Sequence, residues 1–86
     1  MTDLAEDVEA ALLAHPDVAR LDGAVASYLP GRRVDGVRLG DRVEVAVVLR
    51  SGRPIGEVVP ELRDRVAGVA GAAPVDVVVA DLEVES

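Results

Sequence analysis

The chain predicts an α+β fold: a small mixed sheet of three to four strands with two helices packed on one face, in the order α-β-β-β-α-β. Three observations predict it. Two segments repeat their apolar residues at helical spacing, one central stretch alternates apolar and polar residues across a turn, and valine, stiff at χ1 and suited to strands, supplies 18 of the 86 residues. A chain of this length has surface enough for one core, so residues 1–86 are expected to form one domain, with no linker, internal repeat or low-complexity tract.

Taken in chain order, the first helix can be capped by Thr2 or Asp3, and Leu4, Val8, Ala11 and Leu12 share a face opposite Glu6, Asp7 and Glu9. His15-Pro16 ends it, because the residue before proline is pushed out of helical geometry. Residues 18–28 alternate poorly and contain Gly23, and they are read as an irregular strand. Residues 34–50 read as a hairpin, with Val37 and Leu39 on one arm and Val43, Val45, Val47 and Leu49 on the other. Parity fixes its loop. Two loop residues would set Leu39 against Arg42, whereas three, Gly40-Asp41-Arg42, set Leu39 against Val43 and Val37 against Val45.

The second helix carries the stripe Ile55, Val58, Val59, Leu62, Val66 and Val69, with Glu57, Glu61, Arg63, Asp64 and Arg65 outside it and Gly71 as its stop. Pro54 suits its first position. Pro60 removes a backbone donor in the second turn, so the helix either kinks there or starts later. Residues 75–84 form the last strand, and because Val77-Val78-Val79 are apolar toward both faces this strand is expected inside the sheet.

Composition removes several kinds of function. Cysteine is absent, which excludes disulfides, thiolate metal sites and thiol nucleophiles. Tyr28 is the only aromatic residue, so stacking platforms for single-stranded nucleic acid and aromatic cages for quaternary ammonium are not available. The net charge of −7 repels polyanions, and nucleic acid ranks last among the partners considered. All nine basic residues are arginine. No apolar run reaches the ~20 residues of a spanning helix, and the N-terminal segment is acidic where a signal peptide is basic. These features predict a cytoplasmic protein that does not insert into bilayers directly.

Residues suited to catalysis are few. His15, the single histidine, sits at a helix end where a structural role is expected. Thr2, Ser27, Ser51 and Ser86 lack a nucleophile-elbow context, and Asp81 and Glu83 read as solubilising residues at a strand end. One histidine and no cysteine provide no metal-ligand pattern, and no cofactor is expected. The segment SGRPIG at 51–56 leads into a helix N-terminus with Arg50 and Arg53 beside it, the setting for an anion contact, yet it matches neither phosphate-binding fingerprint. Self-association is expected instead through a sheet edge. The segment 18–28 is apolar-leaning and lightly charged, which marks Val18, Arg20, Val25 and Tyr28, with Arg32 and Arg33 following, as the candidate interaction surface.

The succession LAEDVEAALLAHPDVARLDG, VDGVRLGDRVEVAVVLRSG, RPIGEVVPELRDRVAGVAG and VDVVVADLEV resembles the alkaline shock protein family of bacterial envelope-stress proteins. The resemblance spans nearly the whole chain and rests on hydrophobic patterning: a helix ending before V-A-R-L-D-G, a V-x-V-x-V strand, and an I-x-E-V helix start about five residues beyond it. It implies a small non-enzymatic domain, active in envelope stress, that associates with itself and is held near the membrane by a separate anchored protein. This chain departs from the usual family pattern in its short, arginine-bearing link between Tyr28 and Val37 and in its lack of lysine. The expected function is therefore a non-catalytic scaffold or adaptor, with a small anion- or ligand-binding regulatory module built on Arg50, Arg53 and the second helix start as the alternative.

Overall fold

The computed structural model describes residues 3–84. It contains two helices, α1 (Leu4–Leu13) and α2 (Ile55–Ala70), and six strands: β1 (Val18–Leu21), β2 (Ala26–Leu29), β3 (Arg32–Asp35), β4 (Val37–Leu39), β5 (Val43–Arg50) and β6 (Val75–Glu83). The fold is mixed α+β. A four-stranded sheet contains β1, β4, β5 and β6, and the remaining pair, β2 and β3, forms a separate antiparallel hairpin.

Each helix forms for the reason its sequence gives. The Asp3 carboxylate accepts the Ala5 N–H at 2.9 Å, capping α1 and satisfying one of the donors that a helix start leaves open. Ala5, Val8 and Leu12 are its buried residues. The second helix runs unbroken from Ile55 through Pro60 and buries Val58, Leu62 and Val66, so it begins at the early of the two expected positions. Ile55 and Val69, at the two ends of the apolar stripe, remain exposed. Gly71, at φ 80°, takes a positive-φ conformation that is open to glycine, and α2 stops there.

The sheet is organised around β5. Its residues Val43, Val45, Val47 and Leu49 share one buried cluster with Ala5, Val8 and Leu12 of α1 and with Val58, Leu62 and Val66 of α2, so both helices cover the same face. Ala46 and Val48, on the opposite face, are buried as well, because β5 has neighbours along both of its sides. The hairpin register is the one parity requires, with Val37 opposite Val45 and Leu39 opposite Val43 around a three-residue loop. On the other side β6 runs parallel to β5 from Val43↔Val75 to Arg50↔Glu83, joined by the α2 crossover.

Two expectations are corrected. The last strand is not interior: β6 pairs with β5 alone and forms an edge of the sheet. Val77 and Val79 point to the helix-covered face and are half-buried, whereas Val78 on the other face stays 49% exposed, so the triple valine reports a half-covered strand. Residues 18–28, in turn, are not one strand. The chain pairs with β5 as far as Leu21, leaves the sheet, makes the β2–β3 hairpin over Pro30-Gly31, and returns at Gly36 to pair with β5 again as β4. The strand order is therefore α-β-β-β-β-β-α-β, with two strands more than the sequence pattern predicts.

The break and return share one residue of β5. The Ala46 carbonyl accepts from Asp22 N–H at 2.9 Å, while the Ala46 N–H donates to the Gly36 carbonyl at 3.0 Å. In an ordinary antiparallel pair one opposing residue makes both bonds. Here Asp22 and Gly36 make one each, so β1 and β4 are two halves of a single row. Their ends meet so closely that a Cβ on Gly36 would lie 2.5 Å from the Leu21 Cβ and 2.9 Å from the Ala46 carbonyl oxygen, and the φ of 83° independently selects glycine.

Candidate functional site

The charged residues singled out by sequence are bound within the chain. Arg50 donates from Nη1 to the Pro16 and Val18 carbonyls, each at 2.9 Å, and so ties the end of β5 to the start of β1. Arg53 forks onto Glu61, with Nη1 to Oε1 at 2.9 Å and Nη2 to Oε2 at 2.7 Å, and also reaches Asp17 Oδ2 at 3.0 Å. Bidentate pairing of this kind is the geometry guanidinium favours. The Arg53 guanidinium is thereby held more strongly protonated than usual. The Glu61 carboxyl is pulled down to about 2, first by Arg53 and then by His15.

His15 completes this cluster. It is 3% exposed, and its Nδ1 accepts the Asp17 N–H at 3.0 Å. With Nδ1 used as an acceptor, the ring hydrogen lies on Nε2, which donates to Glu61 Oε1 at 2.8 Å. His15, Asp17, Arg53 and Glu61 thus clamp the end of α1 and the approach to β1 against α2. The positions where an external anion would meet Arg53 are taken by the protein's own carboxylates.

The candidate interaction residues fall into different environments. Val18 is buried and opposes Leu49. Arg20 pairs with Glu83 of β6 at 2.8 Å. Val25 lies in the turn before β2, and its carbonyl accepts from Gly36 N–H at 2.8 Å. Arg32 bridges Glu6 and Glu9 on α1, fixing the hairpin tip to that helix. Arg33 pairs with Asp35 at 2.7 Å and lies 5.6 Å from the centroid of the 76%-exposed Tyr28 ring, a cation–π distance. Of the six, only Tyr28 is an open apolar surface. A further fence sits along the β4 row, where Ser27 Oγ donates to the Val37 carbonyl at 2.6 Å.

The open edge lies on the other side of the sheet. Val43 N–H donates to the Pro74 carbonyl and Ser51 N–H to the Glu83 carbonyl, so residues 74 and 83 turn their backbone polar groups toward β5. Alternation then turns those of Val75, Val77 and Val79 outward. The Val75 carbonyl bears this out: it accepts from Arg63 Nε at 3.3 Å, a side chain reaching the edge from α2. A β-bulge follows, since Val47 faces Val79 while Val48 faces Asp81. Sequence reasoning missed this edge because a run of valines carries no signal of which neighbours a strand will have.

A depression of about 380 Å³ lies at the β4–β5 turn, lined by Arg38, Leu39, Gly40, Asp41, Arg42 and Glu44. Its arginines are paired, Arg38 with Glu44 and Arg42 with Asp76. Among the described residues no group of three or more histidines or carboxylates is placed to hold a metal ion, and no helix is long and apolar enough to cross a membrane. Comparison with protein families, with curated proteins and with solved structures found no match for this chain.

Proposed function

We propose that the protein is a non-catalytic scaffold or adaptor of the envelope-stress type, acting by association with itself and with a membrane-anchored partner. The observation that supports this reading is the β6 edge: nine residues long, paired with no strand on its outer side among the described residues, and carrying exposed Val78 and Leu82. Arg38, Arg42 and Arg53, by contrast, are each paired with carboxylates of the chain itself. The alternative, anion binding at Arg50, Arg53 and the α2 start, requires an anion to displace Asp17 and Glu61 from Arg53. Sedimentation velocity of the purified chain over a wide concentration range tests the leading reading. Concentration-dependent association is expected, and a chain that stays monomeric at high micromolar concentration overturns it. Titration with inorganic phosphate tests the alternative, which requires chemical-shift changes at Arg53 and Glu57.

A further inference from the structure

We propose that two copies of this chain pair antiparallel through Val75–Val79, with the two-fold axis passing at Val77, to make one sheet continuous across the dimer. This rests on the self-association reading above and names its surface. Val75, Val77 and Val79 present their backbone donors and acceptors outward. In an antiparallel ladder these become the hydrogen-bonded pairs Val77 with Val77 and Val75 with Val79. The intervening non-hydrogen-bonded pair sets Asp76 of one copy against Val78 of the other.

The segment V-D-V-V-V suits this register and no neighbouring one. Every helix-side opposition is valine on valine, and no carboxylates face each other. Shifting the axis to residue 76 sets Asp76 against Asp76, a like-charge opposition, and shifting it to Val78 leaves Val77 with Val79 as the hydrogen-bonded pairs, because Val75 then meets Asp81 beyond the bulge. The same segment ends at the bulge, beyond which the pleat changes phase and pairing cannot continue unbroken. Charge also selects the occupant and its direction. One end of the strand is flanked by Arg42, bound to Asp76, and by Arg63, whose Nε lies on the Val75 carbonyl, while the other end carries Asp81 and Glu83, the latter bound to Arg20. Antiparallel pairing of a second copy sets the arginine-bearing end against the acidic end twice, and parallel pairing sets like against like. On pairing, the Val79 N–H of the second copy takes the place of Arg63 on the Val75 carbonyl.

Val78 is half-exposed and its backbone faces β5, so its side chain can be changed without touching the new ladder. Val78→Asp places two symmetry-related carboxylate pairs across the interface, and association should weaken about tenfold. Val78→Lys faces Asp76 instead and should retain or tighten it. In parallel, amide exchange of the wild-type chain should show protection at Val75, Val77 and Val79 that rises with concentration, while Val78 is protected throughout. If the wild type associates but folded Val78→Asp does so equally, or if protection grows elsewhere, as at residues 26–35, the β6 pairing is overturned while the scaffold reading stands. A wild type that never associates overturns both. Should Val78→Asp fail to fold, the exchange pattern of the wild type decides alone.

Discussion

Along one side of β5 the neighbouring row is two short strands separated by an excursion, and along the other it is one continuous strand of nine residues. The first edge is fenced. Its chain leaves at Asp22, its hairpin is anchored to α1 by Arg32, and Ser27 occupies the Val37 carbonyl. The second edge has one bulge and one arginine against it. Small sheets have to manage two edges, and here the protective devices are concentrated on one. The contrast teaches that exposure of an edge depends less on its own residues than on what the rest of the chain does beside it.

The largest effect is expected where the fenced edge is joined. Gly36→Val combines a left-handed backbone with a Cβ 2.5 Å from Leu21, strain and overpacking that together cost about 5 kcal/mol, comparable with the whole stability of a small domain. It should not fold, as circular dichroism would show. Gly31→Ala has a similar φ but nothing within 4 Å, and it should cost only ~1 kcal/mol. A folded Gly36→Val protein with wild-type urea midpoint would mean that β1 and β4 do not form one row.

Next comes the helix behind the open edge. Leu62 is fully buried, and Leu62→Ala should cost about 2 to 5 kcal/mol, against a few tenths for the exposed Asp64→Ala. Equal denaturation midpoints would place α2 with another face toward the core. Ser27→Ala removes one part-buried hydrogen bond from the fence and should cost about 1 kcal/mol, with faster amide exchange confined to β2 and β4. Unchanged exchange there would show that this hydrogen bond does not hold the hairpin.

The smallest effect is in acid. Because the folded Glu61 carboxyl is lowered from 4.5 to about 2, its pairing contributes stability above the ordinary carboxyl range, and that contribution fades as pH falls from there through the folded value. Glu61→Gln should therefore flatten the urea midpoint against pH below about 4.5, an effect small because Glu61 and its main partner Arg53 are solvent-screened. An acid slope identical to wild type would assign the acid sensitivity to other carboxylates, such as Asp76, which Arg42 also lowers.

Much of the fold was legible where a local rule had only one solution. Parity allowed a single loop between Leu39 and Val43, the 3.6-residue period picked Val58, Leu62 and Val66, and Asp3 was one of two residues able to cap α1. The β2–β3 hairpin was less accessible. Its turn, Pro30-Gly31, carries a strong local signal, with Gly31 at φ 74°, but the flanking segments A-S-Y-L and R-R-V-D scarcely alternate, and only Val34 among them is fully buried. The place of β6 was hidden for another reason. Which strand lies next to which is decided by the α2 crossover and the common core, not by any property of residues 75–83. The clamp was half visible: His15 stood out as the sole histidine, but its meeting with Glu61, 46 residues away, follows only from the packing of α1 on α2.

The shared bonding of Ala46 separates the hairpin from the architecture that carries it. Because Asp22 and Gly36 each contribute one bond to the same residue, the ladder continues across the excursion, and the hairpin between them, held to the core by Val34 and Leu29, leaves its Pro30-Gly31 tip as the part outside the sheet. Lengthening a loop at that tip is entropically cheap, about 0.6 kcal/mol per doubling, and a Cβ at Gly31 would meet nothing within 4 Å, so the tip is the place where the domain can accept new sequence, a binding loop or a reporter, while its frame stays as it is.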